Sequence, residues 1–442
     1  AASDVYKRQD YDMGSLALGD LDWNDHGTEF PCQPPDLPTS ATESASFASQ
    51  TGGGGIFWGA ATKPIYQRGD IFPRCRMVTQ YHDLLPHTPA HQYVLSGLRI
   101  GNPRRAGTGA AVQRRARVVT PEQLLPVSYV LHTNNTGQPH LAAVATGAHP
   151  GFARPLDIRI SSSNLFVDSL SRSGITSESD DLLLSLRHEF YDRMRFRGAG
   201  DPIRSSGFEG YWVAAELLRD APSMQALFAN DILVRDDSVT RCPEHPEEAG
   251  QATDIRRGIK TMLHAAAELL GNGPARYVCA VDSGIAGFNS YDTHGSRDDL
   301  GPHLLNVNAN IYNVMHHLAD VIHHPTENPS GKINLDDTLI VINTDFNRTP
   351  GVNGTMGRDH WPYGYLTIMI GGPMSGGASI RGRIDSGGFT ESSYRYSATD
   401  MRAALLLDAG IDPFAEGNFC VRDFRGALMS GIGTEEQIRD RL

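Results

Sequence analysis

Two acidic positions in the last third of the chain have the residue types and surroundings of a metal site. Asp292 and His294 lie two residues apart in a Gly-rich loop, where they offer one oxygen and one nitrogen ligand to a transition metal. Asp345 ends the apolar run 337–345, and a carboxylate at the end of a buried strand is costly unless it is paired or ligated. Two alternatives stay open, a turn that caps a helix for the first pair and an ion pair with Arg348 for Asp345.

A third cluster, at 357–362, combines charged and aromatic residues on one loop. Asp359 and His360 are adjacent, with Arg358 before them and Trp361 after them. Loops on a rigid scaffold often carry function, although a purely structural turn is the alternative here. Carboxylates and imidazoles together suit zinc, manganese or iron better than calcium. The three clusters jointly predict a site for one or two such ions.

The segments around these clusters alternate between strand and helix patterns. Short apolar runs at 276–281, 337–345 and 365–372 are typical of strands buried on both faces, and apolar residues recur with a helical period over 300–322. Strands separated by long helices predict an α/β fold with a mostly parallel central sheet sandwiched by helices. In such folds, sites lie beyond the carboxyl ends of the strands, which is where the three clusters fall.

A strand followed by a short helix is predicted nearer the start of the chain. The run 74–82 has the pattern of a strand, and the sequence then turns at a Pro-rich segment. Thr88 suits the N-cap, Pro89 the first helical position and Gly97 the position just after the last turn. The first turn of this helix could present free N–H groups to an anion.

The remaining segments suggest one domain with an insertion. Residues 10–442 are interpreted as a single α/β domain, in which 160–275 form a helical insertion because apolar residues recur there every three or four positions. Residues 1–9 lack an initial Met and an apolar signal core, so we expect them to be a non-native or fragment edge. Near the end of the predicted helix 300–322, four histidines are interpreted as complementing the helix C-terminus, with metal binding as the alternative: His316, His317, His323 and His324.

Composition excludes several classes of protein. The 442 residues include 51 acidic and 39 basic side chains, for a net charge of −12, which argues against a nucleic-acid backbone as partner. No apolar run reaches about 18 residues, so no membrane span is predicted. The five cysteines are scattered without a Cys-x-x-Cys pair, which argues against a disulfide framework or zinc knuckle. The glycines at 52–55 lack the Lys-Ser/Thr of a nucleotide loop, so a nucleotide-dependent oxidoreductase is discounted.

Three motifs of the chain resemble those of a known family. The sequence T-D-F-N-R-T-P at 344–350 and G-R-D-H-W-P at 357–362 are similar to motifs of the domain of unknown function 1501 family, and Y-D-T-H at 291–294 resembles its W-D-T-H. That family is placed in the alkaline phosphatase-like, or sulfatase-like, superfamily. The resemblance covers about 255–415 and is looser over 74–160.

The resemblance implies a fold, a reaction and a set of ligands. The superfamily has a mostly parallel sheet between helices and a two-metal site that hydrolyses phosphate or sulfate esters. Its strand ends in a metal-binding Asp-His pair, which corresponds here to Asp345 and Phe346, so the carboxylate is kept and the histidine is lost. The other implied ligands are Asp292, His294, Asp359 and His360.

The segment 87–97 resembles the nucleophile segment of sulfatases in layout. His87 stands at the nucleophile position, with Thr88 beside it, and His91 stands where an Arg is usual. A histidine could attack directly or bind metal, and a metal-activated water could attack without a covalent intermediate. His87, Thr88 and Arg348 are therefore the catalytic candidates. The substrate-binding candidates are His91, Arg358 and Trp361; the two arginines (Arg348 and Arg358) could neutralise ester oxygens, and Trp361 could stack on a leaving group.

Two functions follow as hypotheses. The first is a metal-dependent hydrolase of phosphate or sulfate esters, acting on a small anionic ester or a glycan. The second is a non-catalytic exported binding protein that keeps the fold and a partial metal site, which the missing histidine after Asp345 and the missing standard nucleophile both favour. By resemblance alone, the protein is expected to be bacterial and periplasmic or exported.

Overall fold

A computed structural model of the chain describes most of the segments that carry the predicted motifs. The longer described ranges are 62–97, 108–119, 250–273, 275–282, 314–349, 359–372, 379–385 and 387–413. The shorter ones are the strands at 45–47, 56–58, 129–132 and 156–159, residue 311 and single helical positions between 182 and 193. Most of the predicted helical insertion at 160–275 lies outside these ranges.

Eleven strands are numbered here in chain order. They are β1 Ala45–Phe47, β2 Ile56–Trp58, β3 Cys75–Gln80, β4 Tyr129–His132, β5 Leu156–Arg159, β6 Val278–Val281, β7 Leu339–Ile342, β8 Asn347–Arg348, β9 His360–Trp361, β10 Tyr365–Gly371 and β11 Ser379–Arg381.

Six helices are numbered in the same way. They are α1 Lys63–Tyr66, α2 His87–Ser96, α3 Thr108–Val119, α4 Gly250–Gly271, α5 over 314–321, and α6 Ala398–Asp408. Short 3₁₀ turns occupy Phe72–Arg74 and Ser392–Tyr394. Within the described part of the chain, no helix combines the length and the apolar character needed to cross a membrane.

The chain divides into two compact units. The first comprises Ala1–Val94, Asp237–Leu263 and Asp282–Ala398, and the second comprises Leu95–Asp236, His264–Val281 and Thr399–Leu442. Among the described strands, the first unit contains a four-stranded sheet and two antiparallel strand pairs, and the second contains a three-stranded sheet.

The first unit is organised around a four-stranded sheet in the order β11-β3-β10-β7. Strand β10 is antiparallel to both of its neighbours, and β11 is parallel to β3. All seven residues of β10 are buried because strands flank it on both sides, and Ile368 lies opposite Met77 and Ile342. The predicted strands at 74–82 and 365–372 are thereby confirmed.

Strand β7 differs from its prediction in burial and length. The apolar run 337–345 was expected to be a strand buried on both faces, and that expectation is wrong, since all four residues of β7 are only partly buried. Among the described strands β7 lies at the edge of its sheet, so it lacks a neighbour on one side. The strand ends at Ile342, and Asp345 therefore lies in the segment that follows rather than at the strand's last position.

Helix α2 follows β3 after a short connection. The helix begins at His87, and the amide of Ala90 donates to the carbonyl of Pro86, so the prediction of Thr88 as the N-cap is wrong. Pro89 fits within the first turn because its missing N–H is one that a helix start leaves without an intrahelical partner. Gly97 has φ 65°, which confirms the predicted left-handed residue after the last turn.

Helix α5 belongs to the first unit and packs by one apolar face. Met315 and Leu318 are buried, with Ile311 before them and Ile322 after them at the spacing of one helical face. The helix also buries His317, Ala319 and Val321. This agrees with the helical period predicted over 300–322. The chain then turns back, and Ile322 forms a parallel bridge to Ile333.

The second unit contains a three-stranded parallel sheet in the order β5-β4-β6. Leu131, Ile158 and Cys279 are buried within its strands. Strand β6 was expected to be buried on both faces and is not, since only Cys279 of its four residues is buried. The four-stranded sheet is thus mixed and the three-stranded sheet parallel. The mostly parallel, alkaline phosphatase-like fold stays a prediction for the whole chain.

Candidate functional site

Helix α2 places two histidines on one face. His87 and His91 are four residues apart, so their side chains lie one turn above the other. Their rings are 5.5 Å apart between centroids and tilted by 33°. One helix therefore offers two imidazoles to a single point.

The carboxylate of Asp345 contacts both of these imidazoles. Its Oδ2 lies 2.5 Å from Nδ1 of His87 and 3.0 Å from Nε2 of His91, and its side chain is only 10 % exposed. The imidazoles are 26 % and 22 % exposed. Both ring nitrogens donate to the ionised carboxylate, because a carboxylate only accepts. We call His87, His91 and Asp345 the bridged cluster.

The second oxygen of Asp345 is also engaged. Oδ1 accepts the backbone N–H of Phe346 at 3.0 Å. Burial by itself would raise the pKa of Asp345, but the hydrogen bonds from His87 and His91 outweigh it and hold the pKa well below its usual value. The carboxylate is therefore ionised at neutral pH, as a metal ligand must be.

His82 fixes the main chain of Asp345. Its Nδ1 accepts the amide of Leu84 at 3.1 Å, so Nε2 carries the proton and donates to the carbonyl of Asp345 at 2.6 Å. The ring is buried and meets the rings of Tyr93 and Tyr365 at their edges. Sequence reasoning gave His82 no role, although its place just past the end of β3 was a usable signal.

A buried polar network joins the strands behind the site. The Tyr365 hydroxyl donates to Oε1 of Gln80 at 2.8 Å, and Nε2 of Gln80 donates to the hydroxyl of Thr367. Thr367 in turn donates to Oδ1 of Asn343 at 2.8 Å. The network links β3, β10 and the residue after β7, so it orients the segment that leads into Asp345.

His360 and Phe346 complete the surroundings of His87. The three ring centroids lie 4.4–4.6 Å from one another. Nδ1 of His360 lies 2.8 Å from the carbonyl of Leu85 and donates to it, which leaves the lone pair on Nε2. Phe346 is buried, so an apolar ring occupies the position where the resemblance implies a histidine.

Four other predicted site residues have different surroundings. Asp359 is exposed, and its carboxylate accepts the amide of His360 at 2.7 Å. Arg348 is buried on β8 opposite His360 of β9. The indole N–H of Trp361 donates to the carbonyl of Gly388 at 2.8 Å, and Thr88 is exposed on α2. The predicted Asp292, His294 and Arg358 lie outside the described residues.

The bridged cluster could hold a metal ion. Its three ligand atoms lie within 4.8 Å of one another. A tetrahedral ion with bonds of about 2.0–2.2 Å separates its ligand atoms by about 3.4 Å, so the two contacts to Oδ2 would lengthen by less than about 1 Å. Nδ1 of His91 is buried and has no hydrogen-bond partner among the described residues, so a shift of its ring breaks no second bond. His91, expected to contact substrate, is here a possible ligand beside His87.

Comparison with known proteins places the chain in a family. No curated protein and no solved structure matches the chain. A family model described as "Protein of unknown function (DUF1501)" matches residues 24–419, which is most of the chain. The chain therefore belongs to the DUF1501 family.

Proposed function

We propose that this protein is a metal-dependent hydrolase of phosphate or sulfate esters with an alkaline phosphatase-like fold. The observation that supports it best is the convergence of His87, His91 and Asp345, from two separate segments, on one partly exposed point. Two imidazoles and a carboxylate are the ligands of many catalytic zinc sites, where a further position stays open for water or substrate.

Each residue of the bridged cluster has a part in this proposal. Asp345 supplies the negative charge, and its lowered pKa keeps that charge at neutral pH. His87 and His91 would bind as neutral imidazoles through the nitrogens that now donate to Asp345, so each ring would carry its proton on its other nitrogen. A bound divalent ion lowers the pKa of a water and offsets the negative charge of the ester.

The hydrolysis balances without a further reactant. The oxygen of water bonds to the phosphorus or sulfur, the ester bond breaks, and the leaving oxygen takes a proton. Arg358 and Trp361 follow Asp345 in sequence and stay the candidates for binding the anionic group and the leaving group. Arg348 is buried, so we assign it to charge balance near the site rather than to direct contact with substrate.

One observation favours the second candidate function, a non-catalytic binding protein. Phe346 is buried beside His87 and His360, and it removes one ligand position that the superfamily uses. A site with fewer ligands could bind an ion or an acidic glycan without turnover. Metal content and activity must therefore be measured together.

The test uses the full chain, the variant Asp345→Asn and a matched control. Asp336→Asn removes a carboxylate whose side chain is 71 % exposed, in the segment before β7. Metal content is measured by elemental mass spectrometry after loading with zinc, manganese or iron. Hydrolysis is measured with p-nitrophenyl phosphate and p-nitrophenyl sulfate.

We expect metal binding and hydrolysis in the wild type and in Asp336→Asn. In Asp345→Asn we expect loss of hydrolysis and of the metal equivalent held by the bridged cluster. Unchanged hydrolysis in Asp345→Asn would contradict the proposed site. Metal binding that depends on Asp345, without hydrolysis of either ester, would reject the hydrolase for these substrates in favour of the binding protein.

A further inference from the structure

A second group of metal-ligating side chains lies at the end of helix α5. His316 and His317 are adjacent, and Asp320 is four and three residues further along. Residues at these two spacings share a helix face, so Asp320 is a neighbour of both histidines. We call these three residues the helix-end cluster. Its ligand atoms lie within 4.8 Å of one another.

The distances in the helix-end cluster suit ligands around an ion. Oδ2 of Asp320 is 3.6 Å from Nε2 of His316 and 3.6 Å from Nδ1 of His317. Ligand atoms of a tetrahedral zinc ion are separated by about 3.4 Å. These contacts are too long for hydrogen bonds, unlike the 2.5 and 3.0 Å contacts of Asp345. The helix-end cluster therefore requires little rearrangement to admit an ion.

The buried histidine of the cluster gives independent support. His317 is only 8 % exposed, and its Nδ1 is fully covered, with Oδ2 of Asp320 at 3.6 Å and no hydrogen bond of normal length to the described residues. A buried polar atom left without a partner is costly. An ion between Nδ1 and Oδ2 of Asp320 would satisfy it.

We propose that the helix-end cluster binds a divalent transition-metal ion of the zinc class, separate from the bridged cluster. Imidazole nitrogens with one carboxylate select zinc, copper or nickel over magnesium or calcium. The side chains of His316 and Asp320 are 45 % and 47 % exposed, so water can fill the remaining coordination positions. The carbonyl groups at the helix C-terminus add a favourable field for a cation.

Nearby cations set the expected strength of binding. Lys260 lies close enough to His317 to disfavour positive charge there, and Lys332 donates to the carbonyl of Asp320. Arg68 donates to the carbonyl of Ala319 at 2.9 Å. These charges oppose a dication, so we expect weaker binding here than at Asp345.

The test removes the first site and then titrates the second. Zn²⁺ is titrated by calorimetry into Asp345→Asn, and into the same chain with His316→Ala, Asp320→Asn or His324→Ala added. His324 is the matched control, since it follows the same helix but contacts Thr326 at 2.6 Å. His317 is left unchanged because it is buried, so its substitution would change stability as well as metal binding.

We expect one equivalent of Zn²⁺ to bind Asp345→Asn, with at least a tenfold loss of affinity from His316→Ala and from Asp320→Asn and no loss from His324→Ala. Equal affinity in all four chains, or no binding to Asp345→Asn, would overturn the proposal. Because Asp345 is absent throughout, the result is independent of the proposed hydrolase activity.

Discussion

The bridged cluster and the helix-end cluster contain the same residue types in different settings. In the bridged cluster, a helix supplies two histidines and a separate segment supplies a carboxylate that is 10 % exposed. In the helix-end cluster, one helix supplies all three residues and the carboxylate is 47 % exposed. The bridged cluster thus depends on a tertiary contact, whereas the helix-end cluster is formed by the spacing of residues along one helix.

The difference determines how tightly each carboxylate is held. Asp345 is bonded through both oxygens and through its carbonyl, which His82 contacts at 2.6 Å. Oδ2 of Asp320 lies 3.6 Å from a ring nitrogen of each neighbouring histidine, which is longer than a hydrogen bond. A held and buried carboxylate is suited to orient an ion for chemistry, whereas an exposed one is suited to reversible binding.

The largest expected effect is from Asp345→Ala. We expect loss of metal at the bridged cluster, ester hydrolysis reduced to background, and a loss of about 1–3 kcal/mol in the free energy of unfolding, because two imidazoles and an amide lose their acceptor. Elemental analysis, ester hydrolysis and urea unfolding measure the three quantities. If Asp345→Ala retains wild-type stability, the bonds described here do not hold the carboxylate.

A smaller effect is expected from His82→Phe. The carbonyl of Asp345 loses its donor, so we expect a loss of about 1–3 kcal/mol in unfolding free energy and metal affinity at the bridged cluster weaker by about 10–100-fold. His82→Gln keeps a donor and should restore part of both. Equal behaviour of the two variants would show that ring packing, rather than the hydrogen bond, is what His82 contributes.

The two clusters should affect stability in different pH ranges. The pKa of Asp345 is lowered, so its contribution is present above the unfolded value of about 3.9 and is lost as the pH falls below it. Burial lowers the pKa of His317, so the unfolded chain takes the proton first and stability falls as the pH drops below about 6.5.

Urea unfolding in the presence of a chelator, from pH 8 to pH 3, separates these contributions. The difference between wild type and Asp345→Asn should be constant down to about pH 5 and shrink below about pH 4. The fall in wild-type stability below about pH 6.5 should be reduced in His317→Gln. If the stability difference between wild type and Asp345→Asn already shrinks near pH 6.5, the lowered pKa is not that of Asp345.

The smallest effect is expected from His316→Ala without metal. Its side chain is 45 % exposed, and substitutions at such positions change the unfolding free energy by no more than about 0.5 kcal/mol. Added Zn²⁺ should raise the melting temperature of the wild type more than that of His316→Ala. A large loss of stability without metal would mean that the helix-end cluster is held as tightly as the bridged one.

Sequence patterns predicted the elements better than their burial. The strands β3 and β10 follow from short runs with a strand pattern, and the glycine after α2 follows from the need for a positive φ. The start of α2 and the half-exposed state of β7 did not follow, because a helix start is set by local hydrogen bonds and strand burial by the neighbours of the strand. An apolar run has the same sequence pattern whether its strand lies at the centre or at the edge of a sheet.

The sequence by itself predicted that Asp345 and His87 are site candidates, that a helix follows Thr88 and that another covers 300–322. The structure showed that His87 belongs to the first of these helices, which puts it on one face with His91. The contact of Asp345 with α2 spans more than 250 residues of chain, and only the tertiary structure decided it. The sheet register and the polar network that orient Asp345 join segments far apart in sequence. A local sequence pattern cannot predict such long-range contacts.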